Sequence, residues 1–202
     1  MRRTHLILVA LCAGAAACAK PPETIGSARL PEADGIVAPP PEGAVLEVGK
    51  DPVPKSLSGS VRVVADVDVT YAEVVATTQA VRAAGGKPVL IVVTRRGKLA
   101  ALPEPVAPIE KAIKLSARAE GKACVSPPGT DEATCISRVD QKRIDRAFVR
   151  QILYKAVKEY DLKHVNVVVD PSLRWSDAVR AIDGARTCCN AEDNIQVSVE
   201  PS

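Results

Sequence analysis

Cysteines have the clearest capacity for chemistry in this chain of 202 residues, which contains six of them. Cys124 and Cys135 flank a loop that contains Pro-Pro-Gly, and Cys188 and Cys189 are sequence neighbours. In an oxidising compartment these four form disulfides, with three possible pairings. We predict a Cys124–Cys135 disulfide that closes the loop. Cys188 and Cys189 are then either a vicinal disulfide or a pair of thiols.

Other reactive groups are sparse. No C-x-x-C spacing is present, which disfavours both a zinc site and a thioredoxin-like redox site. His164 is the only histidine outside the N-terminal segment, and no nucleophile motif accompanies it. Gly85-Gly86 is too short to cradle a phosphate and is better explained as a helix stop. The sequence therefore predicts no catalytic residue, no metal and no cofactor.

Asp66 and Asp170 each follow a short Val-rich run, where a catalytic carboxylate could stand. They also occupy matching positions of an internal repeat, and a turn-forming role explains both of them. A shift of 104 residues places Val61 on Val165 and Tyr71 on Trp175. The copies run from Val61 to Val93 and from Val165 to Val199, with two extra residues before the last apolar run of the second copy. A repeat of this length indicates a common architecture.

Each copy reads as a βαβ unit. An apolar, β-branched run predicts a buried strand, a polar turn follows, and an amphipathic helix leads to a second apolar run. Thr70 and Glu73 have the spacing of a capping box. Only 2% of residues are aromatic, so we expect Tyr71 and Trp175 to be equivalent core anchors. The alternative is that both rings are exposed and bind a partner.

The N-terminus predicts export. Met1 to Lys20 has two arginines, an apolar run too short for a confident membrane span, and small residues before Cys18. Ala15-Ala16-Ala17-Cys18 resembles a lipobox, which would make Cys18 a lipid anchor. Simple cleavage after an Ala-x-Ala site and an uncleaved anchor are the alternatives. Residues 19–58 are Pro-rich and predict an extended tether, with an isolated strand near Ala44–Val48.

The remaining chain divides into a linker and a longer second half. Prolines mark a linker over residues 99–111. Residues 112–125 predict a β-hairpin, and residues 140–160 predict a long amphipathic helix that precedes the second repeat. The formal net charge is +3, and basic and acidic residues are mixed along the chain, so neither nucleic acid nor an anionic surface is indicated as a partner.

The repeat resembles the ExbD/TolR biopolymer-transport family. The matching features are Ala65-Asp66, the aromatic Tyr71, Val74-Val75, the Ala83-Ala84-Gly85 stop and the Val89–Val93 strand. The second copy keeps matching positions and adds a hairpin and a helix. Those matching positions are Asp170, Trp175, Val179 and Ile195–Val199.

The resemblance implies an α/β fold of the two-layer α+β type, with tandem periplasmic modules whose helices pack on a small sheet. The expected parts are a signal peptide with lipobox at 1–18, the tether at 19–58, a partial module at 59–98, the linker at 99–111 and a full module at 112–202. The family's membrane span carries a proton-handling Asp, but Met1–Lys20 has no acidic residue, which argues against a proton-driven motor.

The resemblance also implies a non-enzymatic lipoprotein on the periplasmic side of a membrane, accessory to energy-coupled transport or envelope integrity. Expected partners are the membrane through its lipid anchor, ExbB/TolQ-like or outer-membrane transport proteins, peptidoglycan, or a second copy of the chain. Two alternatives stay open: an exported thiol-active protein or enzyme that uses Cys188 and Cys189, and a structural peptidoglycan-binding module.

Overall fold

A computed structural model describes residues 25–35, 37–102, 107–130, 132–136, 142–189 and 195–199. Within these residues, three helices and ten strands in two sheets form the predicted α+β fold. The elements are β1 Glu32–Ala33, β2 Ala44–Glu47, β3 Ser60–Val64, α1 Tyr71–Ala83, β4 Lys87–Thr94, β5 Leu99–Ala101, β6 Ile113–Arg118, β7 Lys122–Ser126, β8 Thr134–Ile136, α2 Arg146–Tyr160, β9 His164–Val169, α3 Trp175–Arg186 and β10 Gln196–Val199. No helix in these ranges combines the length and apolarity that a membrane span needs.

The first sheet contains the first βαβ unit. Its strands lie in the order β1-β4-β3-β2, with β5 added to β4, and α1 connects the parallel strands β3 and β4. The predicted capping box begins α1, because the Thr70 side chain accepts the backbone N–H of Glu73 at 3.3 Å. In return, the Glu73 carboxylate accepts the backbone N–H of Thr70 at 2.7 Å. Two backbone donors at the helix start are thereby satisfied.

The second sheet has the order β10-β9-β6-β7-β8, and α3 connects the parallel strands β9 and β10. The hairpin of β6 and β7 joins this sheet through the parallel β6–β9 pair. Helix α2 begins at Arg146 rather than at residue 140, because Asp145 is its N-cap and accepts the backbone N–H of Ala147 at 2.9 Å. Residues 137–141, which include the start predicted from the sequence, lie outside the described residues.

The predicted tether over residues 19–58 is wrong for its described part, which folds onto the first sheet. β2 pairs in parallel with β3, and β1 pairs in parallel with β4. The β2 register sets Ala44 opposite Val61, just as β6 sets Ile113 opposite Val165. The first unit therefore has the leading strand that the sequence assigned only to the second. The open edges of the β3–β4 pair explain this, since unpaired strand edges favour further pairing.

Two further boundaries differ from the expectation. The linker over 99–111 contributes β5, which pairs antiparallel with β4 and extends the first sheet. The two units also share one continuous hydrophobic cluster, which contains Val61 and Tyr71 from the first and Ile113 and Trp175 from the second. The modules at 59–98 and 112–202 are therefore not separate domains, because a domain has a core of its own.

The strand register also corrects the length of the insertion in the second copy. Val61 pairs with Pro88 in the first unit, and Val165 pairs with Val197 in the second. The first strands are offset by 104 residues but their partners by 109, so the second copy has five extra residues rather than two. These residues follow the last turn of α3, where Cys188 and Cys189 lie.

Candidate functional site

The two units meet through the turns that precede their helices. Four backbone hydrogen bonds connect residues 67–72 with residues 171–176. They form two pairs, and in each pair a shift of the residue numbers by 104 converts one bond into the other. They run from Tyr71 N to Leu173 O (2.7 Å), from Trp175 N to Val69 O (2.7 Å), from Ala72 N to Pro171 O (3.0 Å) and from Ser176 N to Val67 O (3.2 Å). Such reciprocal contacts are those of a two-fold interface, here within one chain.

The aromatic rings that begin the two helices stack on each other at this junction. The ring centroids of Tyr71 and Trp175 are 6.5 Å apart and the rings are inclined by 12°. The exposed fractions are 6% for Tyr71 and 1% for Trp175. Burial raises the pKa of the Tyr71 hydroxyl. The two residues occupy equivalent, buried positions, but they pack against each other as well as against their own units.

The strand-end aspartates form turns in both units. Asp66 Oδ1 accepts the backbone N–H of Asp68 at 3.1 Å, and Asp170 Oδ1 accepts that of Ser172 at 2.9 Å. Burial raises the pKa of the Asp66 carboxyl, but hydrogen bonds from Arg29 and from the backbone outweigh it, and the net pKa is lowered. The pKa of Asp170 is lowered by its hydrogen bonds from Ser172. Both carboxylates act as acceptors in the way that turn-forming aspartates do.

A groove of about 760 Å³ lies between α1 and α3, next to the Tyr71–Trp175 stack. The groove is also lined by strand β4, by residues 38, 39 and 41, and by residues on either side of positions 103–106. Three pairs of repeat-equivalent residues line it: Tyr71 with Trp175, Thr78 with Ile182, and Arg82 with Arg186. Its volume falls within the range typical of small-molecule sites, which are concave and mostly apolar.

The charged side chains that the described residues contribute to the groove lining are all basic. Arg82, Lys87 and Arg186 line it, and no Asp or Glu among the described residues does. Burial lowers the pKa of the Arg186 guanidinium, and the nearby Asp183 opposes that shift.

The Asp183 carboxylate is hydrogen-bonded and ion-paired to residues outside the groove. Asp183 is 1% exposed, and its oxygens accept the backbone N–H groups of Asp34 at 2.9 Å and Gly35 at 2.6 Å. Arg146 Nε lies 3.1 Å from Asp183 Oδ2, and the same guanidinium forms an ion pair with Asp34. This cluster fixes the segment after β1 to α2 and α3. It is a structural tie, because buried charges persist when they are paired and hydrogen-bonded.

Cys124 and Cys135 form a disulfide, the pairing that the sequence predicts. They stand directly opposite each other on the antiparallel strands β7 and β8, with Cα atoms 3.9 Å apart. Cys124 is completely buried, whereas Cys135 is on the exposed edge strand. The disulfide therefore fastens the edge strand to the sheet.

Cys188 and Cys189 form a vicinal disulfide just after α3. Cys188 is 3% exposed, and Cys189 has the left-handed backbone angle φ 66°, which is unusual for a residue other than glycine. Cys189 lines a shallow cavity with Arg150 and Tyr154, and no histidine or carboxylate of the described chain lines it. Cys18, the predicted lipid anchor, lies outside the described residues.

His164 is at the start of β9 and its Nε2 lies 2.7 Å from Gln196 Oε1 on the neighbouring strand. In the described ranges, no group of three or more His, Cys, Asp or Glu side chains is placed to hold a metal ion.

Comparison with family models, with curated proteins and with solved structures gave no match to this chain. The groove itself was missed by reasoning from the sequence. The repeat offset contained the signal, because it already placed Arg82 on Arg186 in the last turn of each helix. What the sequence did not reveal is that the two helices face one another.

Proposed function

We propose that this chain is an exported, membrane-anchored lipoprotein that resembles the periplasmic part of ExbD/TolR proteins and is accessory to energy-coupled transport or envelope integrity. The proposed role is non-enzymatic: the protein holds or positions envelope partners. The observation that supports this most is the reciprocal pairing of two βαβ units around Tyr71 and Trp175. It makes one rigid body of two similar modules, as an adaptor requires.

The start of the fold supports a position close to the membrane. The described chain begins at Ile25, and Ala28 is already buried against the first sheet. If Cys18 carries the lipid, seven Cα–Cα steps separate it from Ile25, a reach of at most about 25 Å. Such a protein acts beside its own membrane and does not extend across the envelope.

Fractionation tests the anchor. The unaltered protein is expected in the membrane fraction and Cys18→Ala in the soluble periplasmic fraction, because the acyl chains supply the membrane affinity. Mass spectrometry of the mature N-terminus should show a diacylglyceryl group on Cys18. A cytoplasmic protein, or an unmodified N-terminus, would contradict the proposal.

Capture from membranes tests the partner. In vivo photocrosslinking from exposed positions such as Val45 and Tyr160, which are 42% and 37% exposed, should yield a membrane subunit of the proton-channel type or a transport component. The matched control is the same probe at buried Leu153, which should give none. Binding to purified sacculi with no protein partner would instead support the peptidoglycan-binding alternative. Turnover of a disulfide substrate that is lost in Cys188→Ser would support the thiol-active one.

A further inference from the structure

Residues 25–35 form a strap that contacts both βαβ units. Strand β1 lies within the strap and pairs with only two residues of β4. The strap is hydrogen-bonded to the first unit through Arg29 and to the second through two backbone N–H groups at its end. Beyond the strap, Ala38 and Ala101 exchange two backbone hydrogen bonds of 3.2 and 2.8 Å. The chain is therefore fastened to the first sheet again at Ala38, independently of the strap.

Apolar side chains contribute little to the docking of the strap. Its buried aliphatic side chains are the small ones of Ala28 and Ala33, whereas the larger Ile25 and Leu30 are only half-buried. Ala28 belongs to a small hydrophobic cluster that is separate from the main one. A segment with few buried apolar contacts can open locally while the rest of the fold stays closed.

The contact of the strap with the first unit is mainly an exposed ion pair. Arg29 Nη2 lies 2.9 Å from Asp66 Oδ1 and 2.5 Å from Asp68 Oδ2, and the Arg29 side chain is 67% exposed. The backbone N–H of Arg29 also donates to Asp66 Oδ2 at 2.9 Å. Exposed ion pairs stabilise a fold only slightly, because water screens the charges.

Both carboxylates that hold the strap keep a partner when the strap leaves. Asp66 Oδ1 still accepts the backbone N–H of Asp68 at 3.1 Å. Asp183 is 1% exposed and would lose the two N–H groups of the strap, but Arg146 Nε remains 3.1 Å from its Oδ2. A buried charge without any partner is costly, so these remaining partners lower the cost of releasing the strap.

We propose that the strap docks and releases as one unit, and that its release lengthens the link between the fold and the membrane anchor at Cys18. With the strap docked, the link from Cys18 to Ile25 reaches at most about 25 Å. With the strap released, the link runs twenty Cα–Cα steps to Ala38 and reaches at most about 70 Å. The fold then samples a larger range of heights above the same membrane. The change in reach rests on the proposed lipid anchor, whereas the docking of the strap does not.

Hydrogen exchange followed by NMR tests the release in solution, on the purified Cys18→Ala chain. The reporters are the amide of Arg29 towards one end of the strap and the amides of Asp34 and Gly35 at the other. These amides are expected to exchange through one common opening, faster than the amide of Trp175 at the junction of the two units. Strap amides that exchange as slowly as the Trp175 amide would contradict a separate release.

A substitution at one end of the strap tests whether the two ends are released together. Arg29→Gln should speed the exchange of the Asp34 and Gly35 amides about two- to fivefold, the factor that corresponds to the loss of an exposed ion pair. Lys122→Gln is the matched control, because it removes an exposed ion pair with Glu120 outside the strap, and it should leave these amides unchanged. Faster exchange confined to residues around position 29, or an equal effect of Lys122→Gln, would overturn the proposal.

Energy transfer tests the reach, on the lipidated protein in vesicles. A fluorescent amino acid at the exposed position 154 is the donor, and labelled lipid headgroups are the acceptors. Ala28→Asp places a charge in the small cluster under the strap, so it should release the strap and lower the transfer while circular dichroism still shows a folded chain. Ala147→Asp, at an exposed alanine outside the strap, is the control and should leave the transfer unchanged.

The outcomes separate the strap from the anchor. Unfolding of the whole chain by Ala28→Asp would mean that the strap cannot leave by itself, and unchanged transfer in a folded Ala28→Asp chain would overturn the change in reach. An unmodified Cys18 would contradict the proposed function and the change in reach together. The exchange rates of the strap amides would still decide whether the strap releases, since they are measured without the lipid.

Discussion

Helices α1 and α3 occupy equivalent places in two βαβ units, but only α3 packs along the additional helix α2. Gly184 of α3 corresponds to Ala80 of α1. A Cβ on Gly184 would lie 2.9 Å from the Cβ of Val149 on α2, closer than side chains normally approach. The close contact with α2 therefore requires glycine at position 184 of α3, whereas α1 has alanine, a better helix former, at the equivalent position.

The first turns of α1 and α3 also differ in their surroundings. Glu73 completes a capping box with Thr70, and its hydrogen bonds from Thr70 lower the pKa of its carboxyl. The equivalent residue, Asp177, is 4% exposed and accepts the backbone N–H of Ile144 at 3.1 Å. Burial raises the pKa of the Asp177 carboxyl, although this hydrogen bond and nearby arginines oppose the shift.

The comparison shows which features belong to the repeated unit and which to its surroundings. The strand, the aspartate turn, the aromatic helix start and the last-turn arginine occur in both copies. The helix cap, the glycine and the buried acid are specific to one copy because α2 and its preceding loop cover only the second. Local sequence encodes the first group of features, and tertiary contacts select the second.

The strongest test of this comparison removes an aromatic ring. Trp175→Ala and Tyr71→Ala should each lower the stability of the whole chain, by about 3–5 kcal/mol for the tryptophan, because both rings belong to one shared core. Urea unfolding followed by circular dichroism should show a single transition in each case. Tyr154→Ala is the control, because Tyr154 is 46% exposed, and should change stability by less than about 0.5 kcal/mol.

Two transitions, with one of them unaffected by Trp175→Ala, would mean that the units unfold independently. The division into two modules joined by a linker over residues 99–111, as expected from the sequence, would give that outcome. The reciprocal hydrogen bonds between residues 67–72 and 171–176 argue against it. The number of transitions therefore measures directly whether the repeat is one domain or two.

The next largest effect concerns the disulfide between β7 and β8 of the second sheet. Replacement of Cys124 and Cys135 together by Ala should destabilise the second sheet by about 3 kcal/mol, since their disulfide closes a loop over a sequence separation of 11. Replacement of Cys188 and Cys189 together is the comparison, because a bond between neighbours closes no loop and its chain-entropy contribution is small. Non-reducing peptide mapping that finds Cys124 and Cys135 as free thiols in exported protein would refute the premise.

Exchange of Ala and Gly between equivalent positions separates helix propensity from packing. Gly184→Ala should destabilise by about 1–3 kcal/mol because the new methyl group meets Val149, although alanine favours the helix. Ala80→Gly should also destabilise, but only by about 0.5–1 kcal/mol, the usual loss for glycine within a helix. If Gly184→Ala instead raised the midpoint of urea unfolding, the close approach of α2 and α3 would be in error.

Much of the local structure could be predicted from these residues. The Val-rich runs, the Thr70 and Glu73 spacing and the aspartates after the strands report on neighbours within a few residues, and local patterns capture such contacts. The Cys124–Cys135 pairing was predictable for a similar reason, because the loop between them is short. The α+β class, which the family resemblance implies, is confirmed by the observed elements.

The long-range arrangement could not be predicted in the same way. The pairing of residues 67–72 with 171–176 joins backbone groups, which carry no side-chain signal. The sequence predicts an isolated strand near Ala44–Val48, but nothing local reveals that it pairs with β3. The groove depends on the first of these contacts, because its walls come from both repeat units. The repeat offset of 104 places Arg82 on Arg186, but it does not show that both residues line one groove.

The smallest expected effect is a pH dependence of opposite sign at the equivalent residues Glu73 and Asp177. The folded-state pKa of Glu73 lies below its ordinary value of 4.5, so its ionised form stabilises the fold. This contribution is present above pH 4.5 and is lost as the pH falls through the folded-state pKa. The folded-state pKa of Asp177 lies above its ordinary value of 3.8, so the neutral carboxyl is favoured. The stability contributed by the neutral Asp177 carboxyl is complete below pH 3.8 and is lost as the pH rises through the folded-state pKa.

Amide substitutions make this difference measurable. Glu73→Gln should lose stability relative to the unaltered chain as the pH rises from about 3 to about 7, because only the unaltered chain gains the favoured carboxylate. Asp177→Asn should gain relative stability over the same interval, since the amide oxygen can still accept the Ile144 N–H without a buried charge. Urea midpoints at each pH give the two slopes. Slopes of the same sign would mean that α2 and the loop before it do not change the environment of the second helix start, and the contrast between the two units would then reduce to Gly184 and the disulfide-bonded hairpin.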